Sequence, residues 1–226
     1  MRYPGRTQPF PDIAAFTLGP FATNCYVVRP PEPPIKGDVR PCWIIDASFE
    51  PARMLKHIAD AGLRPEALIL THAHVDHIAG VREVLAAHPG LPVMIHEAEK
   101  HWLADPVLNL SAAMGTSVTA PPPTRVLSGG EELTLGSTRW RILHTPGHSP
   151  GGIALVDEES RTAIVGDTLF AGSVGRTDFP GSDPEVLERS IRERLYTLAE
   201  DTRVLPGHGP ETTIGREKAS NPFVRG

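Results

Sequence analysis

Cysteine is scarce in this chain: only Cys25 and Cys42 occur among its 226 residues. Two cysteines cannot form the dense disulfide framework that stabilises small secreted domains. They lie in neighbouring strand-like runs, and a hairpin joining those runs would place Cys42 opposite about Val28, which disfavours a disulfide between them. We therefore expect two buried thiols, and we expect the protein in the cytoplasm, where thiols stay reduced.

The chain also lacks the features of membrane-spanning, secreted and nucleic-acid-binding proteins. No apolar run approaches the roughly 20 residues that a membrane helix needs. Residues 1–11 contain two arginines but no apolar core, so they do not resemble a secretory signal. The 22 basic and 27 acidic residues give a net charge of −5, which provides no basic surface for nucleic acid. We expect neither a membrane nor a nucleic acid as a partner, and the oligomeric state stays open.

Histidine, in contrast, is concentrated in one short segment. The run T-H-A-H-V-D-H at residues 71–77 places four metal-ligand side chains within six residues: His72, His74, Asp76 and His77. The chain has 10 histidines in all, so three of them in six positions is improbable for a surface loop that is rich in histidine by chance. Imidazole nitrogen and carboxylate oxygen suit zinc, iron or manganese. The segment therefore predicts a metal site.

The flanking residues predict that this segment is a loop between a strand and a helix. Residues 67–70 form a short apolar run typical of a buried strand, and residues 78–87 are expected to be helical. Alternate residues of an extended segment point the same way, so His72 and His74 could hold one metal together. Asp76 is placed to cap the helix, and where the chain turns, Asp76 and His77 must point elsewhere. This geometry suggests two metals rather than one.

The H-x-H-x-D-H run resembles the signature of the metallo-β-lactamase superfamily. Three later segments match the sources of that superfamily's remaining ligands: His148 in T-P-G-H-S-P-G-G, Asp167 in I-V-G-D-T-L-F, and His208 in L-P-G-H-G. The resemblance covers nearly the whole chain and keeps the order of the motifs. It implies an α/β fold, the four-layer αβ/βα sandwich, with the metals at one edge between two sheets and residues 1–226 in a single domain.

The resemblance also implies how the ligands are shared. His72, His74 and His148 would hold the first metal, Asp76, His77 and His208 would hold the second, and Asp167 would bridge both. Two divalent ions per chain are expected, with zinc first and iron or manganese as alternatives. A hydroxide that bridges the metals would attack the substrate, since a metal lowers the pKa of water from about 15.7 to about 7. Asp76 and Asp167 are the expected catalytic carboxylates.

The segment that follows Asp167 narrows the resemblance within the superfamily. Residues 169–183, L-F-A-G-S-V-G-R-T-D-F-P-G-S-D, and the N-P-F at residues 221–223 are similar to short bacterial members of the glyoxalase II-like, hydroxyacylglutathione hydrolase branch. This similarity implies a small-molecule thioester substrate such as S-lactoylglutathione, cleaved to D-lactate and glutathione. Arg176 lies where full-length glyoxalase II has a lysine that helps to hold glutathione. Alternatively, Arg176 only braces its loop, against Asp178 or Asp183.

Two functions other than thioester hydrolysis are compatible with the same motifs. A persulfide dioxygenase shares the H-x-H-x-D-H run and a similar G-R-T-D-F run, but it holds a single iron and usually continues with glutamine where this chain has Pro180. A metal-binding module without turnover is the other alternative. Full-length glyoxalase II also carries a C-terminal helical domain with basic glutathione contacts, which we expect this chain to lack.

The remaining sequence predicts layered strands and helices. Residues 49–61 and 182–200 are expected to be helices, the second one capped by Asp183 or Ser182 with Pro184 in its first turn. Residues 29–40 are expected to form an exposed hairpin loop, and residues 104–124 an irregular loop that could border the active site. Asp46 is either a turn residue or a support for a ligand. Four ligand-type side chains outside the motifs are expected to be solvated: His96, Glu97, Glu99 and His101.

Overall fold

The computed structural model describes residues 10–31 and 40–226. These residues form two six-stranded sheets, a two-stranded ribbon and a set of short helices. The first sheet contains, in spatial order, β1 (Asp12–Leu18), β2 (Thr23–Arg29), β3 (Arg40–Ile45), β4 (Leu63–Ile69), β5 (Val93–His96) and β6 (Arg125–Leu127). Neighbours from β1 to β3 are antiparallel, and neighbours from β3 to β6 are parallel.

The second half of the chain supplies the other strands. In chain order they are β7 (Glu132–Leu135), β8 (Thr138–His144), β9 (Ile153–Asp157), β10 (Thr162–Gly166), β11 (Leu169–Phe170), β12 (Ser173–Val174), β13 (Arg203–Pro206) and β14 (Thr212–Thr213). The second sheet has the spatial order β14-β13-β10-β9-β8-β7, and β11 and β12 form the ribbon. Within this sheet β10 and β13 are parallel, so both strands end at the same edge.

The helices are short and lie outside the two sheets. They are α1 (Ala52–Asp60), α2 (Val75–Ile78), α3 (Val81–Ala87), α4 (Pro184–Ser190), which continues as a π turn over Ile191–Leu195, and α5 (Ile214–Ser220). Single 3-10 turns occur at Glu97–Glu99, Trp102–Ala104 and Ala112–Met114. Over residues 10–31 and 40–226, no helix combines the length and the apolar character that crossing a membrane requires.

Alternate residues of the buried strands face opposite layers, which explains the layered arrangement. Trp43 and Ile45 of β3 pack into a core between the two sheets, whereas Ile44 packs on the other side with Met54 of α1. The outer face of the second sheet packs in the same way against α4, α5 and the π turn, through residues such as Leu187. The resulting order of helix, sheet, sheet and helix confirms the predicted αβ/βα sandwich.

The helix that follows the histidine-rich segment starts earlier than predicted and is interrupted. It begins at Val75 and breaks before α3, because Gly80 donates its N–H to the Ala47 carbonyl at 2.8 Å. A Cβ at position 80 would lie 2.2 Å from the Ser48 carbonyl oxygen, so only glycine allows this close approach. Asp76 therefore lies in the first turn of α2, and His74 occupies the N-cap position. The prediction that Asp76 caps the helix is wrong.

The helix predicted over residues 182–200 begins as expected but ends early. Asp183 caps α4 by accepting the N–H groups of Glu185 and Val186 at 2.9 and 3.1 Å, and Pro184 is in the first turn. The helix then widens into the π turn and ends at Leu195. The helix predicted over residues 49–61 is observed as α1, whereas α5 and the short strands β6 and β14 were not predicted.

Both cysteines are buried and free, as predicted. Their strands β2 and β3 are antiparallel neighbours, but Val28 pairs with Trp43, so the predicted register is one residue off. Residues 32–39 of the predicted hairpin loop lie outside the described residues. The single domain over residues 1–226 stays a prediction.

Replacement of Trp140 tests how much the packing between the two sheets contributes to stability. It is fully buried, and its ring centroid lies 6.4 Å from that of Trp43 on the opposite sheet. Replacement of Trp140 by Ala should lower the free energy of unfolding by about 3–5 kcal/mol, because it removes apolar contacts and leaves a cavity. Urea denaturation followed by circular dichroism measures this change.

The matched control is Arg139→Ala, since Arg139 is exposed on the same strand. It should change the free energy of unfolding by no more than about 0.5 kcal/mol. Equal effects of the two replacements would contradict the packing of the two sheets described above.

Candidate metal centre

The predicted ligands follow strands that end at one edge of the sandwich. β4 leads to residues 71–77, and β8 leads to the loop that contains His148. Asp167 directly follows β10, and His208 comes two residues after the parallel strand β13. Because carboxyl ends of parallel strands meet at one edge, the fold collects side chains that are far apart in the sequence.

The first group consists of His72, His74 and His148. Their candidate ligand atoms all lie within 4.8 Å of one another, and all three side chains are buried. Nδ1 of His74 lies 2.9 Å from Nε2 of His148. These are the three residues that the sequence assigns to the first metal.

The second group consists of Asp76, His77 and His208, whose candidate ligand atoms also lie within 4.8 Å of one another. Oδ2 of Asp76 lies 3.1 Å from Nε2 of His208 and 3.5 Å from Nε2 of His77. Asp167 lies between the two groups. Its Oδ1 is 3.4 Å from Nε2 of His77, and its Oδ2 is 3.6 Å from Nε2 of His148. The structure thus brings together all seven predicted ligand residues.

Unpaired buried atoms support a cation at this place. Among residues 10–31 and 40–226, six buried side-chain nitrogen or oxygen atoms have no hydrogen-bond partner, and four of them belong to the predicted ligands. These four atoms are Nε2 of His72, Nε2 of His74, Nε2 of His77 and Oδ1 of Asp167. A buried polar atom without a partner is costly, and a metal ion would satisfy a cluster of such atoms. The donor set of imidazoles and carboxylates fits one or two divalent ions.

Hydrogen bonds orient three of the histidines towards the centre. Nδ1 of His77 contacts Oδ2 of Asp46 at 2.8 Å, Nδ1 of His148 contacts the Arg176 carbonyl at 2.8 Å, and Nδ1 of His208 contacts the Phe21 carbonyl at 3.1 Å. Carbonyl and carboxylate oxygens only accept, so in each case Nδ1–H donates. In the neutral form of each ring the lone pair then resides on Nε2, the nitrogen that faces the other ligands.

From the sequence, Asp46 was either a turn residue or a support for a ligand. In the structure it contacts a candidate ligand directly. It is 1% exposed and adopts φ of +59°, an unusual conformation for a residue other than glycine. Besides contacting His77, its carboxylate accepts the backbone N–H of Thr71 at 2.7 Å and the Thr71 hydroxyl at 2.8 Å. Asp46 therefore joins the end of β3 to the start of the histidine-rich segment. The signal in the sequence was an acidic residue directly after a buried strand.

Two of the four side chains expected to be solvated are buried. Glu97 and His101 are exposed, but His96 is 8% exposed and Glu99 is fully buried, so the prediction is wrong for this pair. His96 stacks on His144, with ring centroids 3.9 Å apart. The sequence reasoning missed Glu99 because the residues around it are polar and only the 3-10 turn directs it inward.

Glycine at position 207 is required by the centre itself. A Cβ there would lie 2.0 Å from Oδ1 of Asp167 and 2.8 Å from Cε1 of His77. No side chain can occupy that space without displacing a candidate ligand. The glycine next to His208 in the L-P-G-H-G motif therefore has a steric cause.

The first group of histidines is neutral at ordinary pH. Burial and the neighbouring His148 lower the pKa of His74 to about 3. Burial likewise lowers the pKa of His148, and burial with the nearby His77 lowers the pKa of His72 well below its usual value. Neutral imidazoles have a free lone pair, which is the form that binds a metal.

The second group has the opposite electrostatic character. Burial alone would lower the pKa of His208, but hydrogen bonds to Asp167 and Asp76 raise it to about 9. Burial also opposes the charge of His77, yet Asp76 and Asp167 raise its pKa well above the usual value. Protons on these imidazoles therefore balance the two carboxylates, and a divalent cation would replace those protons.

Both aspartates at the centre are ionised. Burial would raise the pKa of Asp76, but His77 and His208 lower it to about 2. The same two histidines outweigh burial at Asp167 and lower its pKa well below the usual value. The Thr23 hydroxyl donates to Oδ2 of Asp76 at 2.8 Å and fixes that carboxylate.

Arg176 makes the bracing contact that the sequence offered as an alternative. Its Nε and Nη2 donate to both carboxylate oxygens of Asp178 at 2.9 and 2.7 Å, and its guanidinium lies 4.4 Å from the ring centroid of Phe179. Asp183 is used instead to cap α4. The Arg176 side chain is 66% exposed, so its guanidinium faces solvent, and a role in substrate binding stays a prediction.

The long irregular segment also touches the centre. Residues 104–124 contain one 3-10 turn, and the Asn109 carbonyl accepts the N–H of Val75, the residue after His74. Just before this segment, the ring of Trp102 lies 6.1 Å from that of His74. The segment therefore borders α2 beside the candidate ligands.

A comparison with protein families identifies the group to which the chain belongs. Residues 18–208 match the family model for the metallo-beta-lactamase superfamily, and this match includes all seven candidate ligands. The chain belongs to the metallo-β-lactamase superfamily.

Several curated relatives of this superfamily member are named as hydrolases. The chain is 42% identical over 210 residues to the probable metallo-hydrolase YqgX of Bacillus subtilis, covering 92% of this chain and 95% of that protein. It is 38% identical over 215 residues to hydroxyacylglutathione hydrolase GloC of Haemophilus influenzae, covering 94% and 98%. The coarser prediction of a metallo-hydrolase is thereby confirmed.

Solved structures confirm the metallo-β-lactamase fold. The BLEG-1 B3 metallo-beta-lactamase has a TM-score of 0.87 and 37% identity, covering 95% of this chain and 100% of its own. TTHA1623 in a di-iron-bound form has a TM-score of 0.80 and 40% identity, covering 93% and 100%. Relatives of similar identity thus carry different catalytic descriptions, namely hydroxyacylglutathione hydrolase at 38% and metallo-beta-lactamase at 37%.

Asp46 provides a test of how the second group is held. Replacement of Asp46 by Asn should lower the affinity for zinc about 10–100-fold, the usual effect of losing a support behind a ligand. The amide nitrogen of Asn is a donor, so the side chain cannot accept all three hydrogen bonds that Asp46 accepts from the N–H and hydroxyl of Thr71 and from His77. Competition with a coloured zinc chelator measures the affinity.

The control is Asp60→Asn, since Asp60 is exposed at the end of α1, where it pairs with Lys56. It should leave zinc affinity unchanged. An equal affinity in both variants would contradict the role of Asp46.

Proposed function

We propose that this chain hydrolyses a small-molecule thioester such as S-lactoylglutathione, releasing D-lactate and glutathione, with two divalent ions per chain. One observation carries the proposal: Asp167 lies between two groups of ligand atoms, each compact enough for one ion, and forms a third compact group with one histidine of each, His72 and His77. The relationship to GloC, named a hydroxyacylglutathione hydrolase, supports the thioester as the substrate class.

In this proposal the ligands divide as the two groups do. His72, His74 and His148 would hold the first ion, Asp76, His77 and His208 would hold the second, and Asp167 is placed to contact both. Zinc is the expected metal, with iron or manganese as alternatives, because imidazole and carboxylate donors accept all three. When bound, such ions lower the pKa of water to about 7 and polarise a carbonyl group.

The residues of the chain orient the reactants. Asp76 and Asp167 are ionised, so their oxygens can accept hydrogen bonds from the attacking water and fix its direction. His208 and Asp76 are the most exposed of the ligand side chains, at 27% and 15%, which makes their side of the centre the entrance for the substrate. Direct attack by a metal-activated water requires no serine or cysteine nucleophile.

A persulfide dioxygenase with a single iron is the competing function. In that enzyme class the second site is empty. Here His77 and His208 direct Nε2 at Asp76 and Asp167, which is the arrangement that a second cation requires. A metal-binding module without turnover is the remaining alternative, and the activity panel below discriminates among the three.

The panel tests the function directly. Purified protein loaded with zinc, and separately with iron, is given S-lactoylglutathione, a β-lactam, and glutathione persulfide with oxygen uptake recorded. We expect thioester cleavage with the metal-loaded protein, and loss of nearly all of that turnover on His72→Ala, which removes a ligand of the first group. His101→Ala, an exposed histidine, is the control and should retain full activity.

Three results would contradict the thioesterase. They are oxygen uptake without thioester cleavage, cleavage of the β-lactam alone, and an unchanged rate in His72→Ala. Absence of any turnover with metal loaded would favour the binding module.

Arg176 tests whether glutathione is the thiol. A hydrogen bond from a charged group contributes about 1.5–3 kcal/mol, so Arg176→Ala should raise KM about tenfold or more if the guanidinium holds a glutathione carboxylate, with a smaller effect on kcat. Steady-state kinetics with S-lactoylglutathione measures both constants.

Asp178→Ala is the matched variant, because it frees the guanidinium from its present partner. It should leave KM unchanged or lower it if Arg176 binds the substrate. Parallel losses in both variants would assign Arg176 to bracing its loop.

A further inference from the structure

Glu99 is a buried carboxylate that the proposed reaction does not use. It lies at the end of the 3-10 turn Glu97–Glu99, directly after β5, and is fully buried. Its Oε2 accepts the backbone N–H of Ala73 at 2.5 Å, and its Oε1 accepts the backbone N–H of Gly151 at 2.6 Å. Burial raises the pKa of Glu99, and the hydrogen bonds from the two N–H groups oppose that rise by stabilising the charged form.

The two N–H groups belong to the two loops that supply the first group of ligands. Ala73 lies between His72 and His74, and Gly151 lies three residues after His148. One carboxylate therefore fixes the separation of two segments that are 78 residues apart in the sequence. Both oxygens are required, since each contacts a different loop.

Gly151 is shaped for this contact. A Cβ at position 151 would lie 2.8 Å from Cγ and 3.0 Å from Cδ of Glu99, closer than carbon atoms pack. The glycine thus lets the carboxylate approach the backbone of the His148 loop. This steric match is independent of the hydrogen bonds and indicates the same role.

The second group is anchored by other contacts. His77 is held by Asp46, Asp76 by Thr23, and His208 by the Phe21 carbonyl. In the described part of the chain, the hydrogen bonds of the Glu99 carboxylate to backbone go to Ala73, which lies between two ligands of the first group, and to Gly151, which follows the third.

We propose that Glu99 is a positioning residue that sets the affinity of the first metal and leaves that of the second unchanged. The proposal rests on the two-metal centre of the proposed function. A glutamine at position 99 has one oxygen and one amide nitrogen, so it can accept from only one of the two loops. The other N–H would then face a donor, and the two loops would separate.

The test uses variants that isolate each group. His208→Ala removes a ligand of the second group and His72→Ala a ligand of the first, and Glu99→Gln is added to each. Zinc affinity is measured by chelator competition in all four proteins. Glu99→Gln should reduce it about 10–100-fold in the His208→Ala protein and less than about twofold in the His72→Ala protein.

Two controls separate positioning from loss of structure. Glu97→Gln, exposed in the same turn, should change neither affinity. Urea denaturation of the metal-free proteins reports whether Glu99→Gln still folds. Should it not, Glu99→Asp is used with the same criterion, because its shorter side chain keeps the charge but cannot reach both loops.

The outcomes distinguish this inference from the proposed function. Equal losses in both backgrounds, or a loss in neither, would overturn the role of Glu99 while leaving the metal centre in place. A wild-type chain that binds no divalent metal would overturn both.

Discussion

Lone pairs that converge inside the protein require a cation to satisfy them, and the rest of this structure depends on that requirement. Imidazole nitrogens and a carboxylate oxygen face one another inside the protein, and several of them have no hydrogen-bond partner. Removing polar atoms from water without pairing them is costly. Four of the six such atoms among the described residues lie where seven ligand-type side chains meet. A bound cation would turn the same arrangement into a stable one.

Packing of the two sheets imposes this convergence. The core between the sheets fixes β4, β10 and β13 relative to one another, and their ends lie at one edge of the sandwich. Supporting contacts then limit how each ligand can turn. Asp46 accepts a hydrogen bond from Nδ1 of His77, on the side of the ring opposite Nε2. Glu99 joins two loops that carry ligands. The absence of a side chain at Gly207 leaves room for Asp167. Each of these residues acts on a ligand and none of them needs to touch a substrate.

Local patterns in the sequence predicted the alternation of strands and helices and the four ligands of residues 71–77. The four-layer order and the ligands His148, Asp167 and His208 were predicted from the resemblance to the metallo-β-lactamase superfamily. Apolar runs and a dense histidine motif are visible without knowledge of the tertiary structure. The contacts of Asp46 and Glu99 were not predictable in the same way. Their roles depend on which distant backbone N–H groups lie within reach, as Ala73 and Gly151 do for Glu99.

Helix boundaries were missed for a related reason. The break between α2 and α3 depends on a hydrogen bond from Gly80 to the Ala47 carbonyl, a contact between segments that no local pattern contains. Position 176 is the opposite case, because the predicted contact between Arg176 and a nearby aspartate in its own loop is observed. Arg176 does pair with its near neighbour Asp178, yet its exposed guanidinium leaves a second role open to experiment.

The number of metal ions per chain tests the central claim most directly. Elemental analysis of the protein purified without added metal, divided by the protein concentration from quantitative amino-acid analysis, gives this number. Our account predicts close to two divalent ions per chain. A single iron per chain, unchanged when His77 or His208 is replaced by alanine, would contradict it.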